Sequence, residues 1–238
     1  MSWAGVTERR IATNGIELNI AEAGKGPLVL LLHGFPESWY SWRHQFAPLA
    51  AAGYHVVAPD MRGYGKSDKP AEITAYNQVE VVNDIIGLIR ALGYEQAVVI
   101  GHDWGAPTAW ATALFHPDKV RAVGGLSVPF MPRLPVQPMP MMRAMFKGQF
   151  FYQLYFQEPG VAEAEFEKDI KSGLRKFLVM AGGETDLTKL PPKTEHDDLL
   201  SNLPDPKSLP AWLSEADLDF YTGGFTRSKI KIVARRKY

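Results

Sequence analysis

The sequence predicts an α/β protein: a mostly parallel sheet flanked by helices, followed by a helical lid. Three observations carry this. Four short apolar runs of strand length, "PLVLLLHG", "HVVAPD", "AVVIGHD" and "RAVGGLSV", occur before residue 129. Segments of helical period separate them, the alternation that parallel sheets require. After Pro129 the apolar strands cease, and helical segments follow one another.

In chain order, "RRIATNGIELNIAEAG" reads as two strands around Asn14-Gly15, the pair that a two-residue hairpin turn favours. Pro27 to Gly34 is a strand buried on both faces, because its apolar residues run without alternation. "SWYSWRHQFAPLAAAGY" has helical spacing and closes at Gly53, and His55 to Asp60 is another buried strand. Val79, Val82, Ile86, Ile89 and Leu92 recur at helix spacing until Gly93. Ala97 to Asp103 is a strand, "APTAWATALFHPDKV" a helix, and Arg121 to Val128 the next strand.

"PFMPRLPVQPMP" holds five prolines in twelve residues and reads as a hinge or linker. "MMRAMFKGQFFYQLYF", "GVAEAEFEKDI" and "GLRKFLVMAGG" then read as helices. "PPKTEHDDLLSNLPDPKS" reads as loop and "LPAWLSEADLDFYTGGF" as a last helix. The expected division is a core at 1–130, a lid at 131–226 and a basic tail at 227–238.

Bulk properties exclude several functions. The 26 acidic and 26 basic side chains cancel, so no overall field draws the chain to nucleic acid or to an anionic membrane. The absence of cysteine excludes disulfides, thiolate metal sites and a thiol nucleophile. We expect no metal and no cofactor. The opening "MSWAGVTERR" does not read as a signal peptide, and no uncharged apolar run reaches the roughly 18 residues of a membrane span. A cytoplasmic protein is the expectation.

Chemistry concentrates at two loops that follow buried strands. Gly101-His102-Asp103-Trp104-Gly105 has the small-x-nucleophile-x-small pattern of a strained strand-to-helix turn. An aspartate there is already an anion at neutral pH, since its reference pKa is about 3.9, whereas a serine would first need a base. His33-Gly34-Phe35-Pro36 ends the other strand, and such a loop supplies one backbone N–H of an oxyanion hole. The expected donors are the amides of Phe35 and Trp104.

"HGFPESWYSWR", "DMRGYGKSDKP" and "GHDWGAP", in this order, resemble the epoxide hydrolases of the α/β-hydrolase fold. "YQLYFQEPGVAEAEFE" (Tyr152 to Glu167) resembles the lid of their soluble members. The likeness runs from about residue 8 to about residue 228. It implies a small apolar epoxide and water as substrates. Asp103 would attack the strained ring to form an alkyl ester, and a pair of lid tyrosines would bond the departing oxygen. Tyr152 matches the first of these; Tyr155 and Tyr221 are alternatives. A vicinal diol would follow once a His-activated water breaks the ester. Trp39, Trp104 and Pro36 are expected to wall the pocket, with plain packing an alternative for Trp39. His33, His102, Asp60 and Arg62 are expected to be structural.

The likeness also implies an acid and a His on two strand-and-helix units after the lid. The last histidine here is His196, and six of the final twelve residues are basic. The expectation is a truncated or frame-shifted chain that lacks the last core strands and turns over poorly. Its Arg121–Val128 strand would be an exposed apolar edge, open to aggregation or to a second copy of the chain. A haloalkane dehalogenase and a non-catalytic ligand-binding α/β-hydrolase are the competing readings.

Overall fold

A computed structural model describes residues 5–132, 135–183 and 185–228. The basic tail falls outside it, except for residues 227 and 228. The chain divides after Pro132 into two compact units.

The first unit is a six-stranded sheet in the order β1-β2-β4-β3-β5-β6. Strands β1 (Thr7–Thr13) and β2 (Ile16–Ala23) form an antiparallel hairpin. Its turn residues Asn14 and Gly15 both take positive φ, 43° and 74°, as the predicted pairing demands. β3 (Leu28–Leu32) is buried along its whole length. Each leucine so withdrawn from water contributes about 1.5–3 kcal/mol. That burial holds β3 inside the sheet, parallel to both neighbours, β4 (His55–Pro59) and β5 (Ala97–His102).

The segment from Ser38 to Gly53 departs from the single helix expected. Trp39–Trp42 forms a 3-10 turn capped by Ser38, and helix α1 covers only Phe46–Ala51. Pro48 has no N–H to give to a carbonyl four residues back, so it belongs in a first helical turn and not in mid-helix. Trp39 is also tied down, its amide donating to Asp60 Oδ1 at 3.1 Å.

Helix α2 (Gln78–Ala91) begins at Asn77, whose side chain accepts from the Glu80 amide, and buries the face carrying Val82, Ile86 and Ile89. Helix α3 (Gly105–Phe115) leaves the end of β5, and β6 (Val120–Leu126) pairs with β5 in parallel. Asp60 and Arg62 fix the loop after β4. Asp60 accepts from Asn19 Nδ2 at 3.0 Å and from the Lys66 amide at 3.0 Å. Arg62 grips Asp84 of α2 through both Nε and a terminal nitrogen.

The second unit is helical. Helix α4 (Pro138–Met145) starts within the proline-rich stretch, and helix α5 (Tyr152–Tyr155) is a single turn. One helix was expected to run from Met141 to Phe156. Gly148, at φ 75°, interrupts it, because that backbone cannot continue a right-handed helix. Helices α6 (Val161–Glu167), α7 (Ile170–Ala181) and α8 (Glu215–Ser228) complete the unit, with loop at 191–208 as read, while the last helix starts at Glu215 and not at Leu209. Asp217 and Ser214 exchange bonds across the start of α8, a capping box. Among the described residues, no helix is long and apolar enough to cross a membrane.

Candidate active site

Asp103 stands where β5 ends and α3 begins, with φ at +49°, left-handed backbone that a non-glycine residue rarely adopts. The turn closes because its neighbours have no side chains. A Cβ on Gly105 would lie 2.1 Å from the Leu32 carbonyl oxygen, so β3 and α3 could not approach as they do. The loop after β3 passes equally close, and a Cβ on Gly34 would lie 2.3 Å from Asp103 Oδ1.

The Phe35 amide donates to Asp103 Oδ1 at 2.8 Å. The Trp104 amide also donates to this carboxylate. Both N–H groups expected to form an oxyanion hole therefore point at Asp103. Burial pushes the Asp103 carboxyl above the ordinary aspartate range; the two amides pull against that shift and Glu37 adds to it. The Phe35–Pro36 peptide is cis, and Pro36 is buried.

Of two residues around the site, His33 is the structural group expected, whereas Trp39 packs as core. His33 is buried, donates through Nδ1 to the Gly34 carbonyl at 2.8 Å, and accepts at Nε2 from the Met61 amide at 2.9 Å. Met61 thus assigns the ring proton to Nδ1. Burial pushes the imidazole well below its ordinary pKa, so His33 is a neutral strut joining the loops after β3 and β4. Trp39 is 4% exposed and packs edge-on against Tyr40 and Phe46. That packing favours the core alternative over the pocket wall.

Glu37 was missed. Its Oε2 accepts from the Gly34 amide at 2.9 Å and pairs with His102 Nδ1 at 3.1 Å, linking the two functional loops. Burial pushes the Glu37 carboxyl up, but the bonds from His102 and Gly34 outweigh it and hold it below its ordinary value. The same bond lifts His102. An acidic residue three positions past Gly34 was the available signal; the distance between loops was not.

The structure thus brings Asp103, Phe35 and Trp104 together in the first unit, with Pro36 in the same loop. Tyr152 stands on α5 in the second. It is 41% exposed, and its hydroxyl accepts from Gln153 Nε2 at 3.2 Å. Among the described residues, no group of three or more His, Asp or Glu could hold a metal ion.

A family described as alpha/beta hydrolase fold matches residues 27–221. Epoxide hydrolase A of Mycobacterium tuberculosis is 46% identical over 226 residues, which are 93% of this chain and 70% of that protein. The chain belongs to the epoxide hydrolases of the α/β-hydrolase fold. Among epoxide hydrolase structures, one from an endophytic Streptomyces superimposes with a TM-score of 0.92 at 46% identity, covering 97% of this chain and 71% of that one. Epoxide Hydrolase A from Mycobacterium thermoresistibile gives 0.89, also at 46% identity, over 94% and 71%. The bifunctional epoxide hydrolase 2 of Sus scrofa is 46% identical over 215 residues, only 38% of its length.

Proposed function

We propose that the chain opens a small apolar epoxide by nucleophilic attack of Asp103, forming a hydroxyalkyl ester on the enzyme. The observation that carries the reading is the hold on the Asp103 carboxylate by the Phe35 and Trp104 amides, Phe35 at Oδ1. With Oδ1 bonded to the Phe35 amide, we assign the attack to Oδ2.

A lone pair of Oδ2 forms the new C–O bond, and the ring C–O bond breaks toward its oxygen. That oxygen takes the proton of the Tyr152 hydroxyl, and water reprotonates the tyrosinate. Oδ1 becomes the ester carbonyl oxygen, already lying on the Phe35 amide, with the Trp104 amide also donating to this carboxylate. When water later adds to that carbonyl, the same donors meet the developing oxyanion, the arrangement that stabilises such charge most effectively. The role of Tyr152 rests on the family likeness and on the exposure of its hydroxyl.

Ester breakdown needs a base to deprotonate water. His33 is engaged at both ring nitrogens, His102 Nδ1 is held by Glu37, and the family likeness gives neither of them that role. We therefore expect the first half-reaction to outrun the second, so that ester accumulates. Covalent capture also separates this reading from a non-catalytic ligand-binding protein. The test is intact-mass spectrometry after incubation with styrene oxide, with peptide mapping. The expected result is one added epoxide mass on the peptide bearing Asp103, absent in Asp103→Asn. Reversible binding with no added mass would defeat the proposal.

A further inference from the structure

The lid holds a second tyrosine one turn from Tyr152, and its hydroxyl is committed elsewhere. Tyr155 donates to Glu165 Oε2 at 2.8 Å. The Glu165 carboxylate, on α6 and 9% exposed, also accepts from the amides of Leu199 at 3.0 Å and Leu200 at 2.7 Å. A single carboxylate thus joins α5, α6 and the loop at 199–200. Burial and the Glu165 charge push the Tyr155 hydroxyl far above its ordinary pKa, which makes it a poor proton donor. Tyr221 is itself buried. Of the three tyrosines the sequence left open, Tyr152 is the exposed one.

A helix of four residues cannot set its own direction, because one turn does not repay its nucleation cost. The orientation of α5 comes from its ties. Phe151 stacks on Phe146 with ring centroids 4.0 Å apart, Phe156 is buried, and Tyr155 is bonded to Glu165. Residues three apart on a helix project from neighbouring positions on one side. A rotation of α5 that turned Tyr152 away would therefore break the bond between Tyr155 and Glu165.

We propose that Glu165 is a positioning residue: by anchoring the Tyr155 hydroxyl it fixes the rotation of α5, and so the direction in which Tyr152 offers its proton to the opening epoxide. This rests on the proposed function above. It adds a residue of no evident chemistry to the machinery of the first step.

The experiment measures the rate of ester formation on Asp103 by rapid quench and intact mass, at varied styrene oxide. The chain is compared with Tyr155→Phe, Glu165→Gln, Glu165→Ala, Tyr152→Phe and the double variant Tyr152→Phe/Tyr155→Phe. Tyr155→Phe is expected to lower the maximal rate about 10- to 100-fold, the usual cost of a misplaced reacting group. The half-saturating epoxide concentration should stay unchanged. Glu165→Gln, which still offers Tyr155 an oxygen, should retain more rate than Glu165→Ala. In the Tyr152→Phe background the Tyr155 substitution should have no further effect.

Equal slowing with and without Tyr152 would mean that the bond merely stabilises the lid, and would overturn the proposal. So would a Tyr155→Phe rate equal to that of the unaltered chain. The near-isosteric Tyr155→Phe decides the matter if the Glu165 variants fail to fold. Absence of ester on the unaltered chain would instead remove the proposed function itself, a distinct result.

Discussion

The backbone N–H of Phe35 donates to the Oδ1 of Asp103 across 68 positions of sequence, at 2.8 Å. The loop after β3 and the turn after β5 are thereby tied together at Asp103. The contact depends on Gly34, which lets the loop pass over the aspartate.

Gly34→Ala would place a methyl group 2.3 Å from Oδ1. Neither the buried loop nor the strained aspartate can yield cheaply, so the carboxylate should be displaced. Ester formation on Asp103 is expected to slow at least about 100-fold, as measured by intact mass against time. A rate within threefold of the unaltered chain would show that the close approach has no part in the chemistry.

The pH dependence of ester formation should follow Asp103. Attack requires the anion, and burial raises this carboxyl above the ordinary 3.8. The acid limb of the rate should therefore have its midpoint above that value. A group with a raised folded pKa adds stability below its unfolded pKa and loses it as pH rises through the folded one. At neutral pH the charged Asp103 thus costs stability, and Asp103→Asn should raise Tm while abolishing the ester. A lower Tm for that variant at pH 7 would contradict this account of the carboxylate.

The Glu37–His102 pair gives a second pH signature. His102 is raised by its bond to Glu37, so its share of stability is complete below 6.5 and fades as pH climbs through the raised value. Glu37 is lowered, so its share is complete above 4.5 and fades as pH falls through the lowered value. Asp103 also faces His102 and adds to its lift. Because His102 is 37% exposed, solvent screening holds the effect to about 1 kcal/mol or less. Tm should decline on the alkaline side, and Glu37→Gln should flatten that decline. An unchanged slope in the variant would exclude the pair as its source.

Among the described residues, β6 pairs only with β5, leaving an open edge that includes Ala122 and Leu126. Such edges template pairing with other chains, and a lysine on them blocks it. We propose that this edge pairs with a second copy of the chain; Ala122→Lys should then give smaller particles by light scattering at equal concentration. Identical particle sizes would show that this edge does not pair with a second copy.

Much of this molecule could be read from the chain alone, for reasons local to each segment. Uninterrupted apolar runs such as Leu28–Leu32 mark strands buried on both faces, and Asn14-Gly15 marks a turn that needs positive φ twice. The spacing of Gly101, Asp103 and Gly105 marks a bend only small flanking residues allow. The proposal of Asp103 as an anionic nucleophile starts from side-chain chemistry and position alone. Where local cues compete, the sequence misled: a helical period from Ser38 to Gly53 ignored Pro48, and one from Met141 to Phe156 ignored Gly148.

Contacts between segments far apart in sequence were decided only by the tertiary structure. Nothing near Glu37 announces a bond to His102, and nothing near Glu165 announces Tyr155 or the amides of Leu199 and Leu200. Trp39 reads equally well as wall or as core until Phe46 and Asp60 are brought against it. A buried carboxylate acquires its role from the donors that folding delivers to it, and those donors come from remote parts of the chain.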